Sequence, residues 1–206
     1  MHFLHQITGT IRIRRDGAFV DSKPIEEVRV ECPGVFAGYG WTVGHPEAVT
    51  LPRYRPEIRN SVNLVLASRA VITMLKEVAQ AIDAGQLTMS DAAAMLAEPL
   101  PEPESAAEAQ PAAGPPLFAV AFGLHEGKPA TAGALGQAAP AGGMGGATGV
   151  PLAVGLDLVA RHRITRAGVF APEAAVDPDA FFDVLAPLCT PPKMSHEDLV
   201  LVSGPH

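Results

Sequence analysis

Apolar and polar residues alternate over residues 7–15, through Ile11 and Ile13, which is the period of a half-buried strand. Asp16-Gly17 follows as a hairpin signal, so the chain is expected to open on a strand starting close to Met1, a turn, and a returning strand at 18–20. Ile25, Val28 and Val30 make a further strand, broken by Pro33-Gly34. Residues 35–53 mix strand formers with Gly44, Pro46 and Pro52, which excludes one central strand. A strand, a sharp turn at 44–47 and a short extended piece fit that composition. After another short strand within 60–67 the period changes. Val71, Leu75, Val78 and Ile82 fall on one helical stripe, which Gly85 ends, and Ser90 is placed to cap a second short helix.

Residues 98–116 are rich in Pro, Ala and Glu and poor in branched and aromatic residues, the composition of a flexible linker or insertion. Strand character resumes over 117–124 and turns at 125–128. A Gly/Ala-rich passage then leads to a helix whose face carries Leu152, Leu156 and Val159. Asp177-Pro178 opens a helix with Phe181, Phe182 and Leu185 inward, and a last strand lies at 199–202. The order implies an α+β fold, a mixed and largely antiparallel sheet covered by helices on one face. Residues 1–97 and 117–206 are read as two parts of one such domain, with 98–116 between them.

Composition narrows the function classes. The formal charge is −7 with only 15 Lys and Arg in 206 residues, which argues against a nucleic-acid surface. The two cysteines, Cys32 and Cys189, lie far apart without a CxxC, so reduced structural thiols are expected rather than a metal knuckle. No apolar run reaches the roughly 20 residues of a bilayer span, and the N-terminus lacks the pattern of a signal peptide. The expectation is a cytoplasmic protein without a membrane partner.

Two stretches carry candidate chemistry. Residues 142–151 place five glycines ahead of Pro151, a composition suited to an anion-binding helix start. The dinucleotide fingerprint GxGxxG fails there, because Thr148 stands at the last glycine position and no β-branched strand precedes it. Three readings stay open: a cofactor loop, a site where Thr148 caps the helix and the N–H groups of Gly145, Gly146 and Gly149 receive a carboxylate, or a tight packing turn. The second stretch is 44–53, where His45, Glu47, Thr50 and Arg53 crowd polar function into a turn. His45 suits proton transfer near neutral pH, and Arg53 suits a bidentate hold on a carboxylate; a purely structural histidine is the alternative. No histidine spacing matches a metal motif and no GxSxG elbow is present.

Four segments taken together, HQITGTIRI, WTVGHPEAVTLPR, GMGGATGVPLAVGLDLVARHRITRAGVFAPE and DPDAFFDVLAP, resemble the C-terminal part of saccharopine dehydrogenase-like oxidoreductases. The resemblance covers most of the chain outside 98–116. It implies an NAD(P)-dependent oxidoreductase acting on an amine or imine linked to carboxylates, in which a Rossmann domain precedes an α+β domain for substrate binding and dimerisation. On that footing His45 and Glu47 would line the reacting end, while Arg53, Thr50 and the N–H groups of Gly145, Gly146, Thr148 and Gly149 would hold substrate. The Rossmann part and its fingerprint have no counterpart in these 206 residues. The chain alone is therefore expected to bind no cofactor and not to be a competent dehydrogenase, but to act with a separate nucleotide-binding subunit, as a homodimer. A non-catalytic module that self-associates or binds a ligand, through a strand edge or a helix face, is the alternative.

Overall fold

A computed structural model describes residues 1–97 and 117–204; the linker expected at 98–116 lies outside them. Two compact units divide the chain, Met1–Val30 with Gly38–Gly114, and Glu31–Ala37 with Pro115–His206. The class is α+β with antiparallel sheets, the strands of the described residues being spread over four small sheets.

In the first unit, α1 (His2–Ile7) leads to the hairpin of β1 (Ile11–Arg15) and β2 (Ala18–Ser22). The strand expected over 7–15 is therefore shortened, because Leu4 and Ile7 fall three residues apart on one helical face and are buried there. Asp16 and Gly17 take the positive φ of a tight hairpin turn, and Ile13 pairs with Val20. β3 (Glu27–Cys32) and β4 (Phe36–Val43) follow, then α2 (Glu47–Tyr54) and β5 (Asn63–Val65), with β3-β4-β5 in one sheet. The tip of the β3–β4 pair, residues 31–37, belongs to the second unit. Residues after Pro46 form a helix rather than the extended piece expected. Pro46 supplies its N-cap, and the carbonyl of Pro46 accepts from Val49 and Thr50 at 2.9 and 2.8 Å.

Two further helices close this unit, the long α3 (Arg69–Asp83) and the short α4 (Met89–Met95). Ser68 caps α3 by accepting from the Val71 amide, and Gly85 with φ +70° ends it. The cap of α4 is Thr88, which accepts from the Asp91 amide at 3.1 Å, and not Ser90, which lies inside the helix. Leu4, Ile7, Trp41, Ile72, Leu75, Val78 and Ala92 form the core, with Val71 and Ile82 packed at its margin. Each large member contributes about 1.5–3 kcal/mol by leaving water.

The second unit holds β6 (Phe118–His125), β7 (Lys128–Gly136), β8 (Ala139–Pro140), α5 (Gly143–Ala160), α6 (Pro178–Leu185), β9 (Cys189–Thr190), α7 (His196–Leu199) and β10 (Val200–Ser203). One sheet has the order β10-β7-β6, and β8 pairs with β9. β7 occupies the Gly/Ala-rich passage, where small side chains hid the strand period. Its Gly133 is obligatory, since a Cβ there would collide with the Cys32 sulfur and lie 3.0 Å from the Ser203 hydroxyl. Asp177 caps α6 by accepting from the Ala180 amide at 2.8 Å. Val154 and Leu158 of α5 pack with Leu185, Ala186, Cys189 and Leu199.

α5 starts at Gly143, so the glycine run is wound into the helix, Pro151 lies in its interior and Thr148 caps nothing. The N-cap is Gly142, at φ +95°, and its carbonyl accepts from the Gly146 amide at 3.3 Å. α5 is long and apolar enough, by length and composition, to cross a membrane, with a mean hydropathy of 1.3 over 18 residues. Only 11% of it is buried within the protein, and the face carrying Leu152, Leu156 and Val159 is exposed. The inward positions are Val154 and Leu158.

The chain has a single tryptophan, Trp41, buried in the first core, so its fluorescence reports that unit. Leu4→Ala removes a side chain only 1% exposed and should lower that unit's stability by about 2–5 kcal/mol in urea melts followed by Trp41 emission. A change under about 0.5 kcal/mol, the range of an ordinary surface substitution, would mean that α1 is not docked as described.

Candidate functional site

The recess of the first unit is built around Gly44. A Cβ on Gly44 would lie 2.7 Å from Cγ2 of Ile11, and the Gly44 amide donates to the Gln6 carbonyl at 2.7 Å. Only a residue without a side chain lets the end of β4 approach α1 and β1 this closely. The next residue, His45, is thereby brought beside α1, where its ring meets His2 edge-on at a centroid distance of 6.1 Å. His5, Thr10, Ile11, Arg12, Gly44, His45, Pro46 and Val49 line an open recess of about 280 Å³.

His45 is braced by its second neighbour. Its Nδ1 makes a hydrogen bond with Oε2 of Glu47, the first residue of α2. Asn63 of β5 completes the arrangement, its Oδ1 accepting from the Ala48 amide at 2.8 Å and its Nδ2 donating to Glu47 Oε2 at 3.4 Å. Asn63 thus satisfies a donor of the helix start and steadies the carboxylate that holds the histidine. Further along, Arg14 donates to the carbonyls of Pro52 and Pro56 at 3.3 Å each and stacks near Phe19. These bonds tie the end of α2 to the β1–β2 hairpin.

A carboxylate on Nδ1 fixes the ring and leaves Nε2 as the position for exchanging a proton with a ligand. Arg12 supplies a cation on the same lining, paired at 2.5 Å with Asp21. Both partners of that pair are more than half exposed, so it is worth little and a ligand carboxylate can displace Asp21. The recess is thus able to hold a small anion and move a proton beside it.

Of the residues expected in this stretch, His45 and Glu47 are brought together. Thr50 and Arg53 do not line the recess. Because 47–54 is helical, Arg53 stands about 240° around the axis from Glu47 and is exposed, and the cationic place is taken by Arg12. Gly145, Gly146, Thr148 and Gly149 belong to the second unit, and the recess is built without them. Within α5 the amides of Thr148 and Gly149 lie beyond its first turn, where helical bonding engages them, and a Cβ on Gly146 would collide with the Ala141 carbonyl. That residue is a packing glycine rather than one exposed for a ligand. The sequence pattern does not single out His5, Arg12 or Asn63, because each is far from Glu47 along the chain or stands on a segment with the period of a strand. Arg12 alternates with Ile11 and Ile13 on the outward face of β1, the one signal that could have marked it.

Among the described residues, no group of three or more His, Cys, Asp and Glu side chains is arranged to hold a metal ion. Both cysteines are buried and form no disulfide, and burial pushes the Cys189 thiol above its ordinary pKa, so it is a packing residue. No family model and no curated protein matches this chain.

A second histidine–carboxylate pair lies in the other unit, where His196 Nδ1 and the His196 amide both sit 2.8 Å from Asp183 Oδ1. The amide hydrogen bond, then the ring, lowers the Asp183 pKa, and the Asp183 hydrogen bond raises that of His196. The raised histidine contributes stability below its unfolded value of about 6.5 and loses it as pH rises through the folded value. The lowered carboxylate contributes above 3.8 and loses it as pH falls. The pair is therefore fully formed from about pH 4 to 6. Thermal melts should show the second unit becoming less stable from about pH 6 to pH 9, and His196→Ala should flatten that slope; an unaltered slope in the variant would count against the pair.

Proposed function

We propose that this chain is the substrate-binding and dimerising part of a saccharopine dehydrogenase-like NAD(P)-dependent oxidoreductase, whose recess at His45 takes a small carboxylate bearing an amine or imine. The observation that carries the reading is that a carboxylate-braced histidine and an arginine line one opening of about 280 Å³. Arg12 holds the carboxylate in exchange for Asp21, and His45 handles the proton on the nitrogen. Glu47 acts through His45 as a positioning residue, and Asn63 through Glu47.

Hydride acceptance belongs to a nicotinamide cofactor, which this reading assigns to a separate Rossmann unit. The glycines of 142–149 are a poor alternative cradle, since they are wound into α5. A second reading, a non-catalytic self-associating module, is favoured by the apolar side chains left exposed on β6 and α5.

Calorimetric titration with a dicarboxylic amino acid such as glutamate tests the recess directly. His45→Ala and Arg12→Ala should each weaken binding about tenfold, roughly 1.4 kcal/mol, while Thr148→Ala leaves it unaltered. Absence of any binding at about 10 mM ligand, on the order of the weakest useful affinity, or equal binding by all variants, would overturn the reading.

A further inference from the structure

The outer strand of the β10-β7-β6 sheet has one side unpaired among the described residues, since β6 stands last in the order. Which backbone groups face outward follows from the hydrogen bonds. The Gly136 amide donates to the Leu117 carbonyl at 2.8 Å, and the Gln137 amide donates to the Leu199 carbonyl on the other side of β7. Both N–H and C=O of one residue point to the same side of a strand, and sides alternate along it. In the register that pairs Phe118 with Leu135 and His125 with Lys128, odd-numbered residues of β6 therefore bond to β7. The N–H and C=O of Val120, Phe122 and Leu124 point away from the sheet.

The same three residues share one face of β6 and are apolar, and Phe122 and Leu124 are 68% and 74% exposed. Between Phe118 and His125 there is no proline, no lysine and no bulge in the pairing with β7, so the devices that normally blunt an edge are missing.

We propose that β6 is the interface by which two copies of this chain associate, antiparallel, about a two-fold axis through Phe122. That register sets Phe122 opposite its symmetry mate and Val120 opposite Leu124 of the second copy, each as a hydrogen-bonded pair. It supplies about six backbone hydrogen bonds, two for each of three pairs. On one face it lines up only apolar side chains. On the other it sets Ala121 against Gly123, which lets the backbones meet without obstruction. A shift by one residue would oppose outward-pointing groups to inward-pointing ones and lose every bond, and a shift by two keeps bonds but brings in residues outside the three, so Phe122 opposite Phe122 is the register that pairs Val120, Phe122 and Leu124 only with one another. The result is a continuous six-stranded sheet.

The size of this contact sets its strength. Two phenylalanines, each 68% exposed before pairing, with the flanking aliphatic side chains and the backbone edges, come to at most roughly 1,000 Å² in total. That is the lower bound for a specific dimer, so the dissociation constant should be on the order of 10 μM. The proposal identifies the surface for the self-associating reading and rests on it; it is independent of the recess at His45.

Sedimentation equilibrium of the full chain tests it, with Phe122→Lys and Phe122→Glu placing like charges opposite one another across the axis. Each variant should be monomeric up to about 100 μM, tenfold above the expected constant, with the far-ultraviolet spectrum of the parent, and an equal mixture of the two should dimerise again. Phe122→Cys provides a second measurement that does not depend on tolerating a charge. The paired Cα atoms would be about 5.5 Å apart, within disulfide reach, so oxidation should yield a covalent dimer, whereas Ala121→Cys should yield little. A parent chain that stays monomeric at about 100 μM would overturn both the interface and the self-associating reading. A dimer that persists in Phe122→Lys, or crosslinks equally through position 121, would overturn the interface alone and leave self-association to another surface such as the exposed face of α5. In either case His45→Ala should leave the association unaltered, and a dimer lost with His45 would also overturn the assignment.

Discussion

A methyl group on Gly44 would stand 2.7 Å from Ile11 Cγ2 and 3.5 Å from the Gln6 carbonyl oxygen, the first of these well inside contact. Everything at the recess is positioned from that close approach. It brings the end of β4 against α1 and β1, sets His45 beside His2, and lets Pro46 start α2 at once. The helix start then places Glu47 against His45, and Asn63 reaches over from β5 to satisfy the Ala48 amide. A side chain at position 44 would push these elements apart together, because the Gly44 amide is also the donor that holds the segment to α1.

The two units keep their apolar surface in different ways. The first closes α1, α3 and α4 over Trp41, and the burial of Leu4, Ile7, Leu75 and Ala92 is close to complete. The second has a small core, Val154, Leu158 and Leu185 among it, and leaves Leu152, Leu156, Phe122 and Leu124 outside. These apolar residues lie together along a strand edge and one helix face rather than scattered singly over the surface. The edge of β6 differs from the face of α5 in one respect. Among the described residues its outward backbone groups are open to pairing with another strand, whereas the helix has already satisfied its own.

Charge contributes little to holding either unit together. The pairs Arg12–Asp21, Arg69–Glu27 and Arg161–Asp157 all have exposed members, so solvent and salt weaken them. This is what leaves Arg12 able to change partners at the recess, while Arg14, tied to two backbone carbonyls, holds α2 in place.

Local rules read from the sequence carried the α+β class, the Asp16-Gly17 turn, α3 with its end at Gly85, and the Asp177 cap of α6. Each depends on residues within one or two turns of one another, where dihedral preference and period decide the outcome. Tertiary structure decided the rest. Residues 2–7 became a helix because Leu4 and Ile7 had a core to enter, and β7 formed from a Gly/Ala passage because β6 and β10 lay on either side. The glycine run joined α5 rather than remaining a loop, with Gly142 and not Thr148 at its cap. Helical winding took Arg53 away from Glu47, and Arg12, far before Glu47 in the chain, came to line the recess with His45. Spacing along a chain fixes which side chains share a face, but which face meets another is settled by packing over distances that no local pattern encodes.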